Sequence, residues 1–223
     1  MRRIAGVILL SVLMLVAVLN RSTVSMAETP ERYDAESIYA SANEAVFYVR
    51  AFRDDGALMN VGSGFLTGPE GTALTAYHVV DGASRLNCVL KDGTAVDCRI
   101  TVQDEMADTA VLELPSRTGG AYSYLRLRTS PLKAGEKVFA IGYPMKGTNI
   151  ITEGIVNAPV APINGRNRIL ISAELVSGMS GGPLLDEFGY AAGLLSGSLR
   201  TMNGIHLAVD SADIKRVMEQ VNP

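Results

Sequence analysis

The most specific signal in this sequence is the hexapeptide Gly-Met-Ser-Gly-Gly-Pro at residues 178–183. A serine hydroxyl that attacks a carbonyl carbon must project from a tight turn, and glycines allow the backbone to fold closely around the reacting group. At average residue usage such a string arises by chance about once in 10⁶ starting positions. We therefore interpret Ser180 as a nucleophile, with the backbone N–H groups of Gly178 and Ser180 as donors to an oxyanion. The alternative is a glycine-rich turn with an incidental serine.

A serine nucleophile needs a base that removes its proton in the transition state, and histidine is the usual one. The chain contains two histidines, His78 and His206. His78 lies near the end of the β-rich stretch 72–79, and His206 lies within the candidate strand 204–209. A histidine in an apolar strand is more often a core residue than a base, so the local sequence alone does not choose between the two.

The third partner in such a site is a buried carboxylate, which holds the imidazole in one tautomer and stabilises its positive charge. Asp108 stands immediately before the β-forming run 109–114, at a strand entrance where a side chain can turn inward. Asp104 and Glu105 are nearby, but their polar surroundings are typical of a solvated loop. We therefore predict a catalytic triad of His78, Asp108 and Ser180.

Short β-forming runs separated by Gly, Pro, Asn and Asp make up most of the chain after residue 45. Twelve such runs at short spacing predict an all-β protein built from barrels or sandwiches rather than from βαβ units. No internal sequence repeat is visible. The predicted strands are 46–52, 61–67, 72–79, 85–90, 95–102, 109–114, 137–142, 150–157, 168–173, 183–185, 190–196 and 204–209.

The two ends of this β-rich region differ from it. Residues 35–45 indicate a short helix or lead-in. Apolar residues at 214, 217, 218 and 221 recur at i, i+3, i+4 and i+7, which predicts a C-terminal amphipathic helix over about 211–221. Asp210 or Ser211 can cap its first turn, because a short oxygen-bearing side chain accepts from the free N–H groups there.

Residues 1–27 have the pattern of a secretory signal peptide. Arg2 and Arg3 precede an uncharged apolar run over 4–19, and small residues precede the predicted cut after Ala27. The apolar run is short for a spanning helix, which needs about 20 residues. We expect a secreted or periplasmic mature chain over 28–223; if the segment is not cleaved, it remains as a membrane anchor.

Export places the chain in an oxidising compartment, so Cys88 and Cys98 are considered together. They flank the turn signal Lys-Asp-Gly-Thr at 91–94 between two short β-forming runs. A three-residue loop at 92–94 would place the two cysteines directly opposite each other, and we predict a cross-strand disulfide. Two free, half-buried thiols are the alternative.

Composition argues against several classes of function. The net charge of -3, with Lys and Arg scattered along the chain, gives no support for nucleic-acid binding. The two histidines and two cysteines do not match a zinc-site spacing. We expect no metal and no cofactor, polypeptides as partners, and no stable membrane association after signal cleavage. The oligomeric state stays open.

Five strings occur in order and at consistent spacings along the chain. Together they resemble the protease domain of HtrA/Deg-type trypsin-like peptidases over roughly residues 45–215. The strings are Gly-Ser-Gly-Phe-Leu at 62–66, Leu-Thr-Ala-Tyr-His-Val-Val at 74–80, Asp-Thr-Ala-Val-Leu at 108–112, Ile-Gly-Tyr-Pro at 141–144 and Gly-Met-Ser-Gly-Gly-Pro-Leu at 178–184.

The resemblance implies a chymotrypsin-like fold of two perpendicular six-stranded antiparallel β-barrels, at about 45–115 and about 131–210, with the site in the cleft between them. It assigns His78 as base, Asp108 as orienting acid and Ser180 as nucleophile. Gly178 and Ser180 become the donors of the oxyanion hole.

The same resemblance implies a substrate pocket. Glu174, six residues before the nucleophile, would lie near the base of the primary specificity pocket. Ser196, Gly197 and Ser198 would form the pocket wall and pair with the substrate backbone as an added strand. A carboxylate at the base would select a basic or polar side chain, because a partner relieves the cost of an unpaired buried charge. The interpretation that we favour is that Glu174 turns to solvent or pairs internally.

The sequence departs from the HtrA pattern in three places. HtrA-type enzymes usually carry a PDZ domain after the protease, whereas this chain ends at Pro223, so we expect a protease domain without PDZ. Met179 replaces the Asn common before the serine, and Ser177 replaces a Pro. The segment 172–175 reads Ser-Ala-Glu-Leu instead of the usual Asp-Ala-Ala-Ile.

Two other interpretations remain beside the favoured one, a secreted serine endopeptidase that works through an acyl-enzyme. The pattern Gly178-x-Ser180-x-Gly182 also fits the nucleophile elbow of α/β-hydrolases, which would recruit His206 with Asp186 or Glu187. A trypsin-like fold retained as a non-catalytic peptide-binding or chaperone module is the second.

Overall fold

The computed structural model describes residues 32–117 and 119–221. The predicted signal peptide over 1–27 lies outside these residues. Within the described ranges, no helix combines the length and the apolar character needed to cross a bilayer.

The first half of the described chain forms a closed six-stranded antiparallel barrel with the order β1-β2-β3-β6-β5-β4. Its strands are β1 (Val46–Phe52), β2 (Leu58–Leu66), β3 (Thr72–Thr75), β4 (Arg85–Val89), β5 (Ala95–Asp104) and β6 (Thr109–Glu113).

The second half forms another closed six-stranded barrel, with the order β7-β8-β9-β12-β11-β10. Counted from its own first strand, this order is identical to that of the first barrel, so the fold repeats a topology that is not visible as a sequence repeat. The predicted all-β fold of two six-stranded barrels is confirmed. The strands are β7 (Lys137–Met145), β8 (Thr148–Ile163), β9 (Arg166–Ile171), β10 (Pro183–Asp186), β11 (Ala191–Ser198) and β12 (His206–Asp210).

Three short helices accompany the barrels in the described residues: α1 (Ala35–Ala42), which runs into a 3₁₀ turn at Asn43–Ala45, α2 (Tyr77–Val80) and α3 (Ser211–Met218). The carboxylate of Asp210 caps α3 by accepting from the Ala212 N–H at 2.7 Å. The apolar face of α3 buries Ile214 and Val217. The helix ends at Met218 rather than at 221, because the last N–H groups turn to i−3 carbonyls and tighten the chain.

The predicted strand over 72–79 is too long. β3 ends at Thr75, and His78 lies in the one-turn helix α2, where the Asp81 N–H donates to the Tyr77 carbonyl at 2.9 Å. Val79 and Val80 are both buried. Successive side chains of a strand point to opposite faces, so a helical turn accommodates two adjacent buried valines better than a strand does.

Cys88 and Cys98 form a disulfide, but the predicted register is wrong. Cys88 faces Val96, and Cys98 faces Leu86, so the bond joins diagonal neighbours on β4 and β5. The hairpin closes with the Leu90 N–H donating to the Thr94 carbonyl, which makes the loop 91–93 instead of 92–94. A loop of this length needs a left-handed last residue, and Gly93 supplies it with φ 84°.

The larger hydrophobic core crosses from one barrel to the other. Phe47 and Phe65 of the first barrel belong to the same buried cluster as Phe139 and Ile141 of β7. A second, smaller cluster lies within the second barrel. Because dense packing holds the two barrels against each other, side chains from both can form one site with fixed geometry.

Candidate active site

His78 and Asp108 form the best-defined polar contact of the site. The ring Nδ1 of His78 lies 3.0 Å from both carboxylate oxygens of Asp108, and the backbone N–H of His78 donates to Asp108 Oδ1 at 3.1 Å. The His78 side chain is 47% exposed, whereas that of Asp108 is 7% exposed. The carboxylate thus fixes one edge of the ring and leaves the other edge accessible from the cleft.

Asp108 reaches this position through an unusual backbone conformation. Its φ is 51°, in the left-handed region that few residues other than glycine adopt. The turn before it is closed by the Asp108 N–H donating to the Glu105 carbonyl at 3.1 Å, and by Asp104 Oδ1 accepting from the Ala107 N–H at 2.8 Å. The turn directs the Asp108 side chain inward just before β6 begins, as the sequence predicts.

Two opposing influences act on the ionisation of Asp108. Burial raises the pKa of its carboxyl, but hydrogen bonds from the His78 ring, the charge of His78 and the hydroxyl of Ser196 outweigh burial, so the pKa lies below its ordinary value. Asp108 is therefore a carboxylate near neutral pH. In that state it can accept a hydrogen bond from the Nδ1–H of His78 and stabilise a positively charged imidazole.

Ser180 lies on a loop of the second barrel that packs against the strand and helix of the first. Its carbonyl accepts from the Ser63 N–H at 2.8 Å. A Cβ added to Gly62 would lie 2.7 Å from Val79, the residue after His78, and 3.0 Å from the Ser180 carbonyl oxygen. The glycine at 62 therefore allows the Ser180 loop and the His78 helix to meet.

The Ser180 hydroxyl makes no hydrogen bond to any residue in the described ranges, the His78 ring included. It is half-buried at the junction of the two barrels. Hydrogen bonds between a nucleophile and its base are often long in unliganded enzymes and tighten when substrate binds.

Two backbone N–H groups beside Ser180 are available to an incoming oxygen. Within residues 32–117 and 119–221, neither the Gly178 N–H nor the Ser180 N–H has an acceptor, whereas the N–H groups of Met179, Gly181 and Gly182 all donate to carbonyls of the protein. Gly178 has φ 94°, and a Cβ there would lie 2.6 Å from the Tyr143 carbonyl oxygen. Only glycine fits this conformation.

The predicted pocket wall runs along the end of β11. The Ser196 hydroxyl donates to Asp108 Oδ2 at 2.5 Å, a link to the His78 partner that sequence reasoning missed. The edge of β11 that pairs with β10 has its last partner at Leu194, so Ser196, Gly197 and Ser198 have no strand on that side among the described residues. This open edge begins where the Leu195 carbonyl accepts from the Gly181 N–H, next to Ser180.

Glu174 and His206 contact each other next to Ser198, the last residue of the predicted pocket wall. His206 Nε2 contacts a carboxylate oxygen of Glu174, and the Ser198 hydroxyl lies 2.8 Å from His206 Nδ1. The His206 side chain is buried at 7% exposure, whereas the Glu174 side chain is 67% exposed. A hydrogen-bonded chain thus links Ser198 through His206 to Glu174. Glu174 thus pairs internally, as one interpretation of the sequence expected, but its partner His206 was singled out only as a possible base.

The α/β-hydrolase interpretation is wrong. Two antiparallel barrels replace the parallel sheet that it requires. Asp186 does not approach His206; it pairs with Arg128 at 3.2 Å and accepts from the N–H groups of Phe188 and Tyr190. Within the part of the chain that the structure describes, no group of His, Cys, Asp and Glu residues is arranged to hold a metal ion.

Two six-stranded barrels, with a histidine–aspartate pair on the first and a glycine-flanked serine on the second, define the chymotrypsin-like class of proteins. Comparison with known proteins agrees with this class: the sequence profile of the trypsin-like peptidase domain matches residues 62–194. The chain belongs to the trypsin-like peptidase family.

Its relatives include HtrA/Deg proteases. The chain is 34% identical over 167 residues to serine protease HTRA1 of Xenopus laevis, covering 71% of this chain and 36% of that protein. It is 29% identical over 196 residues to the chloroplastic protease Do-like 1 of Arabidopsis thaliana, covering 76% of this chain and 43% of that protein. The chain therefore spans less than half the length of these curated relatives.

A solved structure supports the same relationship. The serine endoprotease from Yersinia pestis superposes with a TM-score of 0.73 at 26% identity, covering 87% of this chain and 68% of that chain. The predicted resemblance to the HtrA/Deg protease domain is confirmed.

Proposed function

We propose that this protein is a serine endopeptidase that uses Ser180 as nucleophile, His78 as general base and Asp108 as the residue that orients and stabilises the His78 ring. The observation that carries the proposal is that the buried carboxylate of Asp108 holds the ring of His78, and that the helix carrying His78 packs beside the Ser180 loop. Membership of a peptidase family and the relationship to HtrA/Deg proteases support it.

The reaction proceeds by acyl transfer. Neutral His78 removes the Ser180 proton through Nε2 as the hydroxyl oxygen attacks the peptide carbonyl carbon. The N–H groups of Gly178 and Ser180 stabilise the oxyanion that forms, since they have no other partner within the described residues. His78 then protonates the leaving amine, and a water molecule activated by the same ring hydrolyses the acyl-enzyme.

The polypeptide substrate binds along the open edge of β11. Backbone pairing with Ser196, Gly197 and Ser198 as an added strand would place the scissile carbonyl beside Ser180. The side chain of the substrate residue that precedes the scissile bond would then enter the space between this edge and the segment that begins at Glu174. The link from Ser198 through His206 to Glu174 supports this assignment, because it joins the two walls of that space.

The protein acts after export, as a secreted or periplasmic enzyme. The n-region, apolar run and small-residue cleavage pattern of residues 1–27 support this proposal. The disulfide between Cys88 and Cys98 supports it independently, because such bonds persist in oxidising compartments.

A fluorescent fluorophosphonate tests the proposal directly, because it bonds covalently to an activated serine. We expect the purified wild-type protein and Ser177→Ala to be labelled, and Ser180→Ala to remain unlabelled. Ser177 is a matched control, since it is an exposed serine three residues before the nucleophile. His78→Ala should label at least about 10³-fold more slowly, whereas His206→Ala should label normally.

Hydrolysis of fluorescein-labelled casein by the same variants should follow the labelling. Correctly folded wild-type protein that neither labels nor cleaves casein would contradict the proposal and favour a peptide-binding module. Labelling that persists in Ser180→Ala would show that another residue reacts.

A further inference from the structure

Ser63, on β2 of the first barrel, holds the loop of the second barrel that carries Gly178 and Ser180. Its hydroxyl donates to the Gly178 carbonyl at 2.8 Å and accepts from the Tyr143 N–H at 2.8 Å. Its backbone N–H donates to the Ser180 carbonyl at 2.8 Å. Ser63 is fully buried, so bulk water cannot replace these bonds.

Ser63 lies between two glycines of β2, Gly62 and Gly64, so it alone of the three carries a side chain into this junction. A Cβ on Gly62 would lie 3.0 Å from the Ser180 carbonyl oxygen, and one on Gly64 would lie 2.6 Å from the Phe47 ring. These glycines let the backbones approach closely, while the Ser63 hydroxyl spans the remaining gap. The Thr75 hydroxyl holds the Ser63 carbonyl at 2.7 Å, which anchors Ser63 within the first barrel.

The bond to Gly178 acts on the same residue whose N–H, under the proposed function, donates to the oxyanion. Gly178 has φ 94°, and a glycine can adopt other backbone conformations at little cost. Its carbonyl and its N–H are separated by a single Cα atom. Displacements of the Gly178 Cα, which carry the N–H with them, therefore also pull the carbonyl from the Ser63 hydroxyl, and that bond opposes them.

We propose that Ser63 is a positioning residue, which keeps the Gly178 N–H directed at the oxyanion by fixing the Gly178 carbonyl from the opposite barrel. The inference rests on the proposed function, because an oxyanion forms only if Ser180 attacks a carbonyl. It adds a residue outside the triad that acts on the transition state without touching the substrate.

The test is Ser63→Ala, assayed with fluorescein-labelled casein and with the fluorescent fluorophosphonate. Loss of the buried hydrogen bond that holds the Gly178 carbonyl should lower kcat and the fluorophosphonate rate constant about tenfold to hundredfold. KM should change less than about twofold, because the substrate-binding edge of β11 is untouched.

Thr75→Val is the matched control. It also removes a buried hydroxyl, and that hydroxyl bonds to Ser63 itself, but it has no hydrogen bond to Gly178. We expect both variants to lower the midpoint of urea unfolding, and only Ser63→Ala to lower kcat more than about threefold. Ser63→Cys, which retains a weak donor of similar size, should lie between wild type and Ser63→Ala.

Three results would overturn the inference while leaving the proposed function intact. These are a wild-type kcat in Ser63→Ala, a loss confined to KM, and an equal loss of kcat in Thr75→Val. If circular dichroism shows that Ser63→Ala does not fold, Ser63→Cys decides, and wild-type kcat in that variant overturns the inference. A wild-type protein that never labels contradicts the proposed function itself, and the inference then fails with it.

Discussion

Asp108 holds His78 from two directions, accepting from its backbone N–H at 3.1 Å and lying 3.0 Å from its ring Nδ1. One carboxylate thus positions both the main chain of α2 and the imidazole. Without this carboxylate the imidazole could rotate and change tautomer. The buried carboxylate therefore gives His78 the fixed orientation that a general base needs.

Replacing this carboxylate should affect catalysis far more than folding. In Asp108→Asn the amide can donate to Nδ1 and favour the wrong tautomer, so we expect kcat for casein hydrolysis to fall about 10³- to 10⁴-fold, with KM nearly unchanged. Asp97→Asn is the control, because Asp97 is an exposed aspartate on β5. A loss of less than about tenfold in Asp108→Asn would contradict the assigned role.

The lowered pKa of Asp108 predicts a specific loss of stability in acid. The unfolded chain binds a proton at this carboxyl at a higher pH than the folded chain does. The stabilisation is therefore complete above the unfolded-state pKa of about 3.9 and is lost as pH falls through the folded-state pKa. Urea unfolding at about pH 5 and about pH 3 should show a smaller fall in the free energy of unfolding for Asp108→Asn than for wild type. An equal fall in the free energy of unfolding for wild type and Asp108→Asn would contradict the link between the Asp108 pKa and stability.

Tyr143 should tolerate loss of its hydroxyl. That hydroxyl is buried and has no hydrogen-bond partner among the described residues, and burial raises the pKa of Tyr143 to about 12. Tyr143→Phe should leave the free energy of unfolding unchanged or raise it by up to about 1 kcal/mol at neutral pH. Tyr122→Phe, which removes a bond to the Pro115 carbonyl, should instead lower it by about 1 kcal/mol.

Alkaline unfolding gives a second measurement on Tyr143. Ionisation of Tyr143 does not affect the free energy of unfolding below the unfolded-state pKa of about 10, but it lowers this free energy as pH rises toward the folded-state value of about 12. Wild type should therefore lose more stability than Tyr143→Phe over this range. A Tyr143→Phe protein that is clearly destabilised at neutral pH would show that the hydroxyl has a stabilising partner.

His206 should determine side-chain preference and not reactivity. It pairs with Glu174, so His206→Ala releases a carboxylate without a partner beside the proposed pocket. We expect this variant to cleave after Lys or Arg about tenfold more often than wild type does, relative to other residues, as profiled by mass spectrometry on a peptide library. Glu153→Gln, at an exposed glutamate paired with Lys137, serves as control. An unchanged profile would refute the role of His206 in the pocket.

The disulfide should stabilise the fold without contributing to the reaction. Cys88 and Cys98 are separated by 10 residues, and closing a loop of that length in the unfolded chain corresponds to about 2 to 3 kcal/mol. The double variant Cys88→Ser, Cys98→Ser should lose about that free energy of unfolding and keep its fluorophosphonate labelling. Full stability of the double variant in urea would contradict the expectation.

Local signals in the sequence predicted most elements of the fold. The alternation of β-forming runs with Gly, Pro, Asn and Asp predicted all twelve strands of the described chain, although β8 continues to Ile163, well beyond the predicted end at 157. The apolar stripe of α3 was also predicted. Where prediction failed, two adjacent buried valines favoured a helical turn at His78, and the conformation required of Gly93 moved the hairpin by one residue. In both places the backbone conformation of individual residues, and not the local composition, determines where the strand ends.

The sequence by itself determined which residue types were present for acyl transfer and that the chain would be all-β, because strand periodicity and glycine-rich turns are local properties. The two barrels followed from the resemblance to HtrA/Deg-type peptidases. Only the tertiary structure showed how the two histidines are held and gave the partner of His206. His78 and His206 lie in similar local sequences, and the closure of each barrel sends one to Asp108 and the other to Glu174. The bond from Ser63 to Gly178 was equally invisible, because it spans 115 residues and depends on how two barrels pack together.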